Sequence, residues 1–437
     1  MSRLTSAMLD ARPPELAAAA LCRRLDRDCD APVAVAVSGG SDSLALLLIA
    51  AAWAKAARRR LVVLTVDHGL QPASAGWARA VARRAEALGL AWGLLCWEGA
   101  KPAAGLAAAA RAARHALLAD AARAAGAQVI LMGHTADDIA ETLAMQAAGA
   151  GVPTPREWSP SPAWPQGRGV FLLRPLLGLR RADLRHWLAA RRETWIDDPA
   201  NDDQRYARAR ARRTLMHAEC GEAELPVEPA ADSALLAAVR EGGGGELTLP
   251  SGALAAAPDD AGRVLAKACL CAAGTSRPPR SEAARRLAGR IQRGERFVAS
   301  LAGARVESAD DVVSICREPG EFRRSALLPA PLPEAESVFD GRFVITAPEA
   351  GLTVRPLAGV ASRLPARERA ALRGLSPAVR AGLPAVVFAD GRVTCPILAQ
   401  PGAPTARALA GARFSAALGA YPNEAALRRV AKTCPAS

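Results

Sequence analysis

Residues 33–49 read VAVAVSGGSDSLALLLI: a short valine-rich run, the polar block Ser38-Gly39-Gly40-Ser41-Asp42-Ser43, then an unbroken apolar helix former. This order predicts a buried strand turning sharply into a buried helix. Gly39 and Gly40 allow close backbone approach at the turn, three serine hydroxyls surround it, and the amides that open the helix lack intrahelical acceptors. Those amides and the positive end of the helix dipole favour an anion, so the pattern predicts a phosphate cradle that needs no side-chain cation. It is not a P-loop, which ends in Gly-Lys-Ser/Thr, because the chain contains no Gly-Lys dipeptide.

Apolar runs at 33–37, 61–66, 92–97 and 128–132 alternate with alanine-rich helical stretches at 43–57, 75–88, 104–125 and 136–147. The alternation predicts an α/β domain built on a doubly wound, mostly parallel sheet. Ligands of such sheets sit beyond the carboxyl ends of the strands. Ser38 follows the first run, Asp67-His68-Gly69 the second and Gly133-His134 the fourth, so all three motifs are expected to face one crevice. Prolines at 153, 155, 160, 162 and 165 predict an irregular surface loop, and 179–192 reads as a further helix. Proline-thinned stretches at 225–232 and 327–337 divide the chain into three expected domains. These are the nucleotide fold over 1–223, a mainly helical substrate domain over 224–330 with helices near 233–240, 259–273 and 281–293, and a smaller β-rich α+β domain over 331–437. In the last, Asp340-Gly341 and Asp390-Gly391 each stand between alternating β formers and predict hairpins.

The segment Gly133-His134-Thr135-Ala136-Asp137-Asp138-Ile139-Ala140-Glu141-Thr142 spaces an imidazole and two carboxylates at i, i+4 and i+7, one face of a helix beginning near Ala136. Beside a phosphate cradle, such carboxylates suit Mg²⁺ on a triphosphate or the ammonium groups of an amino acid. They equally suit the positive end of a helix dipole as a solvated first turn. LTVDHGL, 64–70, offers Asp67 and His68 at a strand end where a nucleotide base can rest. Arg111 and Arg114, one helical turn apart, can approach phosphates or the reacting base, or simply decorate an exposed amphipathic helix. RYARARARR, 205–213, holds five arginines in nine residues. Charge so dense repels itself unless phosphates or carboxylates answer it, and RNA is the favoured partner. Arg205, Arg208 and Arg212 are expected on one helical face, with Arg210 and Arg213 elsewhere around the axis.

The formal net charge of +13 also points to a polyanion, whether RNA, DNA or an anionic membrane. The nine cysteines include no CxxC pair and no zinc-ligand spacing, so reduced thiols are expected. The first residues lack the long apolar core of a signal peptide. The longest apolar run, 44–54, falls short of the roughly 20 residues that cross a bilayer. A cytoplasmic enzyme is expected.

SGGSDS at 38 resembles the SGGxDS loop of the PP-loop ATP pyrophosphatases. Within that family SGGSDS, VDHGLQ at 66, ARAARHALL at 110, GHTADDIAET at 133, RPLL at 174, and WIDDPAND followed by RYARARAR occur in the order and spacing of the tRNA(Ile)-lysidine synthases. The resemblance is strong over the first 215 or so residues and loose beyond, where DGRF at 340 is its main sign. Ala209 stands where those enzymes usually carry Asn, and Ala200 where they carry Ser. The resemblance implies transfer of AMP from ATP to the C2 oxygen of the wobble cytidine of tRNA(Ile), with release of pyrophosphate, then attack of free L-lysine on C2 through its side-chain amine. It implies ATP binding by Ser38, Gly39, Gly40, Ser41, Asp42, Ser43, Asp67 and His68. Catalytic work would fall to Asp42, His134, Asp138 and Glu141, with the last three also holding lysine. Arg111 and Arg114 would contact ATP or cytidine, Asp42 and Asp138 would bind Mg²⁺, and Arg205, Arg208, Arg210, Arg212 and Arg213 would bind tRNA. Two other readings stand beside this one. A tRNA 2-thiolation enzyme of the same fold usually carries paired thiols, which this chain lacks, and a noncatalytic nucleotide-responsive RNA-binding protein would release no pyrophosphate.

Overall fold

Strand β1 (Val33–Ala36) is nearly inaccessible along its length, and the sheet around it explains why its sequence is continuously apolar. The computed structural model describes residues 2–199, 203, 205, 207–215, 233–324, 329–333, 336–399 and 404–433. The domain boundary expected at 223/224, the linker at 225–232 and Ala200 lie outside the described residues. Helix α1 (Ser2–Arg24) precedes β1, and α2 (Ser41–Ala57), β2 (Leu61–Asp67), α3 (Ser74–Ala87), β3 (Ala91–Cys96), α4 (Leu106–Ala124), β4 (Val129–Leu131) and α5 (Ala136–Ala147) follow. Next come β5 (Trp158–Pro160), β6 (Phe171–Leu173), α6 (Arg181–Ala190) and α7 (Ala207–Leu215).

The sheet runs β3-β2-β1-β4-β6-β5, parallel throughout except for the antiparallel edge strand β5. A parallel sheet is covered on both faces, so its strands need apolar residues on both. Val33, Val35, Leu131 and Leu173 pack with Leu46, Leu47 and Trp187 on one side, while Ala34, Ile130 and Leu172 pack with Leu118 on the other. Since β1 pairs with β2 on one side and β4 on the other, the winding reverses at β1, and the ligand crevice opens at the carboxyl ends of β1 and β4. The proline-rich segment expected to be irregular contains β5, paired through Trp158 and Leu173, Ser159 and Leu172, Pro160 and Phe171. An edge strand can seat a proline because one row of its amides has no partner to lose.

By its contacts the chain forms two compact units, 1–229 with 421–437, and 230–420. The first unit thus recovers the last helix, Glu424–Thr433. Glu424 is fully buried and chelated by Arg59, whose two terminal nitrogens donate to its two carboxylate oxygens at 2.9 and 3.0 Å, while the Asp26 amide donates to it at 2.8 Å.

The second unit opens with α8 (Ser233–Ala238), β7 (Arg240–Glu241), β8 (Leu247–Pro250), α9 (Ser251–Ala255), α10 (Pro258–Ala272) and α11 (Ser281–Gln292). Three strands follow, β9 (Phe297–Leu301), β10 (Ala304–Ala309) and β11 (Val312–Arg317). Helices form close to the places expected, and a sheet that the sequence did not single out accompanies them. The helices lie against a five-stranded antiparallel sheet ordered β7-β8-β11-β10-β9. Its strands are short and half-exposed; β10 alternates buried and accessible positions along ARVESA, a period-two signal easily lost between strong helices. Both predicted hairpins form: Glu336–Phe339 pairs with Phe343–Thr346 around Asp340-Gly341, and Pro384–Val387 pairs with Val393–Thr394 around Asp390-Gly391. No helix among the described residues is long and apolar enough to cross a membrane.

Removing one partner of a buried ion pair strands the other charge, so Glu424→Gln is expected to destabilise the first unit by about 3 kcal/mol. A lower urea midpoint at unchanged denaturant dependence is the readout.

Candidate active site

The turn after β1 is held by its own side chains. The Ser38 amide donates to Ser43 Oγ at 3.2 Å, Ser43 Oγ donates to the Gly40 carbonyl at 3.0 Å, and Ser41 Oγ donates to Asp42 Oδ1 at 3.0 Å. Gly39 has φ +90°, which favours glycine, and a Cβ there would push aside the tip of Ile196, 2.5 Å away at Cδ1. Gly40, extended at φ −68° and ψ 162°, caps α2, leaving the helix's opening amides for an anion. Gly133 serves a different purpose. A Cβ on it would lie 3.1 Å from both Cα and N of Ser43, backbone against side chain, so its bareness lets the end of β4 sit directly on the start of α2.

That contact brings the carboxylates together. Asp42 is the second residue of α2, and Asp138 and Glu141 lie on the first two turns of α5. His134 precedes α5, so His134, Asp138 and Glu141 do not share one helical face as the spacing suggested. Thr135 caps α5, and its amide donates to Asp138 Oδ2 at 2.8 Å. Arg181, at the start of α6, spans all three acids: Nε donates to Asp42 Oδ2 at 2.9 Å, Nη1 to Glu141 Oε1 at 3.2 Å, and Nη2 stands 3.9 Å from Asp138 Oδ2. Its own amide donates to Asp137 at 2.8 Å, which fixes α6 against α5. Burial pushes the Asp42 carboxyl above its ordinary value, against the opposing pull of Arg181 and Ser41. The Arg181 guanidinium is held above its ordinary value by Asp42, Asp138 and Glu141 despite desolvation.

Arg208 and Arg212 face the same acids. Arg208 lies 3.4 Å from Asp138 Oδ1 and 3.1 Å from Glu141 Oε2, and Arg212 Nε donates to Glu141 Oε1 at 2.9 Å. The common face expected for Arg205, Arg208 and Arg212 is therefore corrected, because α7 begins at Ala207 and Arg205 turns back onto Asp203 at 2.6 Å. Arg210 and Arg213 are exposed on the other side of α7.

A second, basic group lies alongside. Arg174, buried just beyond β6, donates from Nε to His134 Nδ1 at 3.2 Å and from Nη1 to the Arg156 carbonyl at 2.6 Å and Ser159 Oγ at 3.1 Å. Burial and then the neighbouring charge of Arg174 hold the His134 imidazole well below its ordinary value. Burial, with Arg111 and Arg208 nearby, lowers the Arg114 guanidinium to about 10. His115, buried on α4 beside it, is pushed down to about 2, first by desolvation and then by Arg114. At the end of β2, Asp67 Oδ1 accepts from the Gly69 amide at 2.8 Å, and His68 packs edge-on against Trp97. Burial, then the Arg114 charge, lowers the His68 imidazole, which ties the β2 end to the same crevice.

Sequence reasoning did not single out Arg174 or Arg181. Each stands in a stretch it read for other reasons, RPLL and the helix at 179–192, and only folding brings either onto the motifs. Asp42 and Asp138 offer hard carboxylate oxygens to one cationic position, now taken by Arg181. No group of three or more His, Cys, Asp or Glu is arranged to hold a metal among the described residues. The fit to Mg²⁺ rests on the two carboxylates beside the phosphate loop, since this ion typically binds through one or two carboxylates with phosphate and water completing its shell.

Residues 17–219 match the PP-loop domain family. The parallel sheet, its serine-glycine loop and the acidic crevice beside that loop together define a PP-loop enzyme fold. Over 413 residues the chain is 46% identical to the tRNA(Ile)-lysidine synthase of Caulobacter vibrioides, covering 93% of this chain and 98% of that one. It is 41% identical to the Hyphomonas neptunium enzyme of the same name over 69% of this chain and 85% of the relative. The Methylobacterium nodulans enzyme is 38% identical over 68% of this chain and 94% of its own length. The chain belongs to the tRNA(Ile)-lysidine synthase family.

Replacing Arg181 by Met removes the main charge that opposes the burial of Asp42. The folded-state Asp42 pKa then rises further above its unfolded value. The folded protein keeps that proton to higher pH than the unfolded chain, so stability is lost as pH rises through the folded value. Against wild type, Arg181→Met is expected to be nearly neutral around pH 4 and to cost about 2 kcal/mol at about pH 8, measured by urea unfolding at both.

Proposed function

We propose that this protein ligates free L-lysine to C2 of the wobble cytidine of tRNA(Ile), using ATP as the activating substrate. The observation that carries the reading is the convergence of Asp42, Asp138 and Glu141 on cationic nitrogen beside a serine-glycine loop whose helix amides are free for phosphate. Ser38, Gly39, Gly40, Ser41 and Ser43 cradle the triphosphate, with Asp67 and His68 lining the nucleotide's side of the crevice. In the first step the cytidine C2 oxygen bonds to the α-phosphorus as the bond from that phosphorus to the pyrophosphate oxygen breaks. Charge builds on the leaving pyrophosphate, and oriented amides with Arg111 and Arg114 stabilise it. Mg²⁺, held by Asp42 and Asp138 when bound, supplies further neutralisation of that charge. In the second step the lysine side-chain ammonium first gives up a proton; the neutral nitrogen then bonds to C2 while the C2–O bond breaks, AMP leaves with the oxygen, and a second proton is released.

Free lysine carries its side-chain charge at neutral pH, with a pKa of about 10.4. Asp138 and Glu141 receive that ammonium in place of the guanidinium groups that now neutralise them. A 2-thiolation reading has less support, because Cys22, Cys29, Cys96, Cys269, Cys271, Cys316 and Cys395 are all free thiols and none lies among the crevice residues described above. As part of the same reading, Arg205, Arg210 and Arg213 meet tRNA phosphates, while Arg208 and Arg212 link α7 to the acids. The segment 224–330 forms a second tRNA-binding region, using the exposed face of α11 with Arg285, Arg286, Arg290 and Arg293. The work is placed in the cytoplasm, where tRNA and ATP are available.

Two outcomes test this. Wild-type protein incubated with ATP, lysine and tRNA(Ile) should yield lysidine by mass spectrometry of the digested nucleosides, and Asp42→Ala should lower the yield by on the order of 100-fold or more. Arg286 and Arg293 have side chains 68% and 64% accessible. Replacing both by Ala should weaken tRNA binding and shallow its salt dependence by about one to two units of slope, without changing nucleotide binding.

A further inference from the structure

We propose that His134 acts as a fixed hydrogen-bond donor through Nε2 toward a phosphoryl oxygen of the nucleotide, not as a proton acceptor, and that Arg174 is the positioning residue that sets this polarity. The proposal rests on the ATP-dependent reading above and deepens it. An arginine Nε carries a hydrogen and has no lone pair to offer, so its contact with His134 Nδ1 at 3.2 Å has only one sense: arginine donates and Nδ1 accepts. A neutral imidazole whose Nδ1 is the acceptor carries its proton on Nε2.

Arg174 cannot easily turn away. Its Nη1 is committed to the Arg156 carbonyl and Ser159 Oγ, and the whole side chain is buried. Nor can the ring readily take a second proton. Arg174 beyond β6, Arg111 and Arg114 on α4, and Arg208 on α7 all present positive charge to it, and all four, with burial, lower its basicity. His115, also on α4, adds no negative charge, being held neutral itself. Asp138 is the carboxylate that acts on this arginine group, and it is already engaged by Thr135, Arg181 and Arg208.

Nε2 makes no hydrogen bond among the described residues. A donor ringed by guanidinium groups has an anion as its natural acceptor, and in this reaction the anion that gains charge is the phosphoryl group being transferred and its pyrophosphate. No proton moves at His134 in that step: the C2 oxygen bonds to phosphorus, the pyrophosphate oxygen leaves, and Nε2–H stays intact throughout.

The tautomer can be read directly in the full-length protein without substrate, by ¹⁵N–¹H correlation of histidine side chains labelled with ¹⁵N. The chain has five histidines, so single substitutions assign each ring. His134 should show the neutral Nε2–H pattern, unchanged from about pH 5.5 to about pH 8.5, an interval that spans the ordinary histidine value of about 6.5. In Arg174→Met, which removes the donor to Nδ1 while burial and the other three arginines still disfavour a second proton, the same ring should show the Nδ1–H tautomer mixed with Nε2–H. A neutral Nδ1–H pattern in wild type, or a wild-type midpoint inside the interval, would overturn the proposal. In lysidine formation, His134→Gln, which keeps an N–H donor but no base, should retain at least about a tenth of the rate with an unchanged pH profile, whereas His134→Ala should lose on the order of 100-fold. Equal losses in both variants, or loss of one limb of the profile in His134→Gln, would also overturn it. Failure of wild type to make any lysidine while the Nε2–H pattern holds would strike the functional reading and leave the imidazole's polarity standing.

Discussion

Three carboxylates within reach of one guanidinium are the constraint around which the first unit is arranged. Asp42, Asp138 and Glu141 come from two helices whose starts meet only because Gly133 has no side chain to hold β4 away from Ser43. Largely buried as they are, their mutual repulsion is large unless a cation answers it, since the same charges interact several times more strongly there than in bulk solvent. Arg181, Arg208 and Arg212 supply the answer from α6 and α7. The cluster is thus a concentration of negative charge that guanidinium groups from two further helices neutralise.

The charges of the crevice are sorted. On one side stand the acids with their arginines; on the other, Arg111, Arg114 and Arg174 surround His134 with little negative charge among them. An anionic leaving group and an amine nucleophile make opposite demands, and one uniform field could not satisfy both. In the proposed reaction, separate fields would let the basic side lower the barrier for pyrophosphate departure while the acidic side attracts the amine. Asp138 lies at the boundary, since it bonds the Thr135 amide, contacts Arg181 and Arg208, and tempers the charge of Arg114. A carboxylate bonded from the cap of its own helix and faced by arginines of α6 and α7 is held accurately in place.

What could be read before folding was local. The strand-turn-helix at 33–49, the four alternating strands and helices, and the two Asp-Gly hairpins depend on neighbours within a few residues, and all of them form. What escaped depends on contacts distant in sequence. Arg181 lies 139 residues from Asp42 and Arg174 lies 40 from His134, and nothing in LRRADLR or RPLL announces a partner. Strand β5 was hidden by its proline, a residue that argues against strands in general but is harmless at an edge. The sheet β7–β11 was overshadowed by α10 and α11, whose helical periodicity is far stronger than that of five short strands.

The arginine-dense stretch at 205–213 shows how local composition can identify a need without identifying what meets it. Dense positive charge requires an anionic partner, and phosphates and carboxylates are indistinguishable from the sequence side. At about 100° per residue, Arg208 and Arg212 fall on nearly the same side of α7 while Arg210 and Arg213 fall well away from it. The helix therefore has two faces, one turned to the protein's own acids and one exposed. Between its arginines stand Ala209 and Ala211, 5% and 8% accessible. At this burial a polar side chain would need its own hydrogen-bond partner, whereas alanine needs none. Small buried side chains at these two positions let α7 lie close to α5, and that closeness is what allows arginines one turn apart to reach Asp138 and Glu141 together.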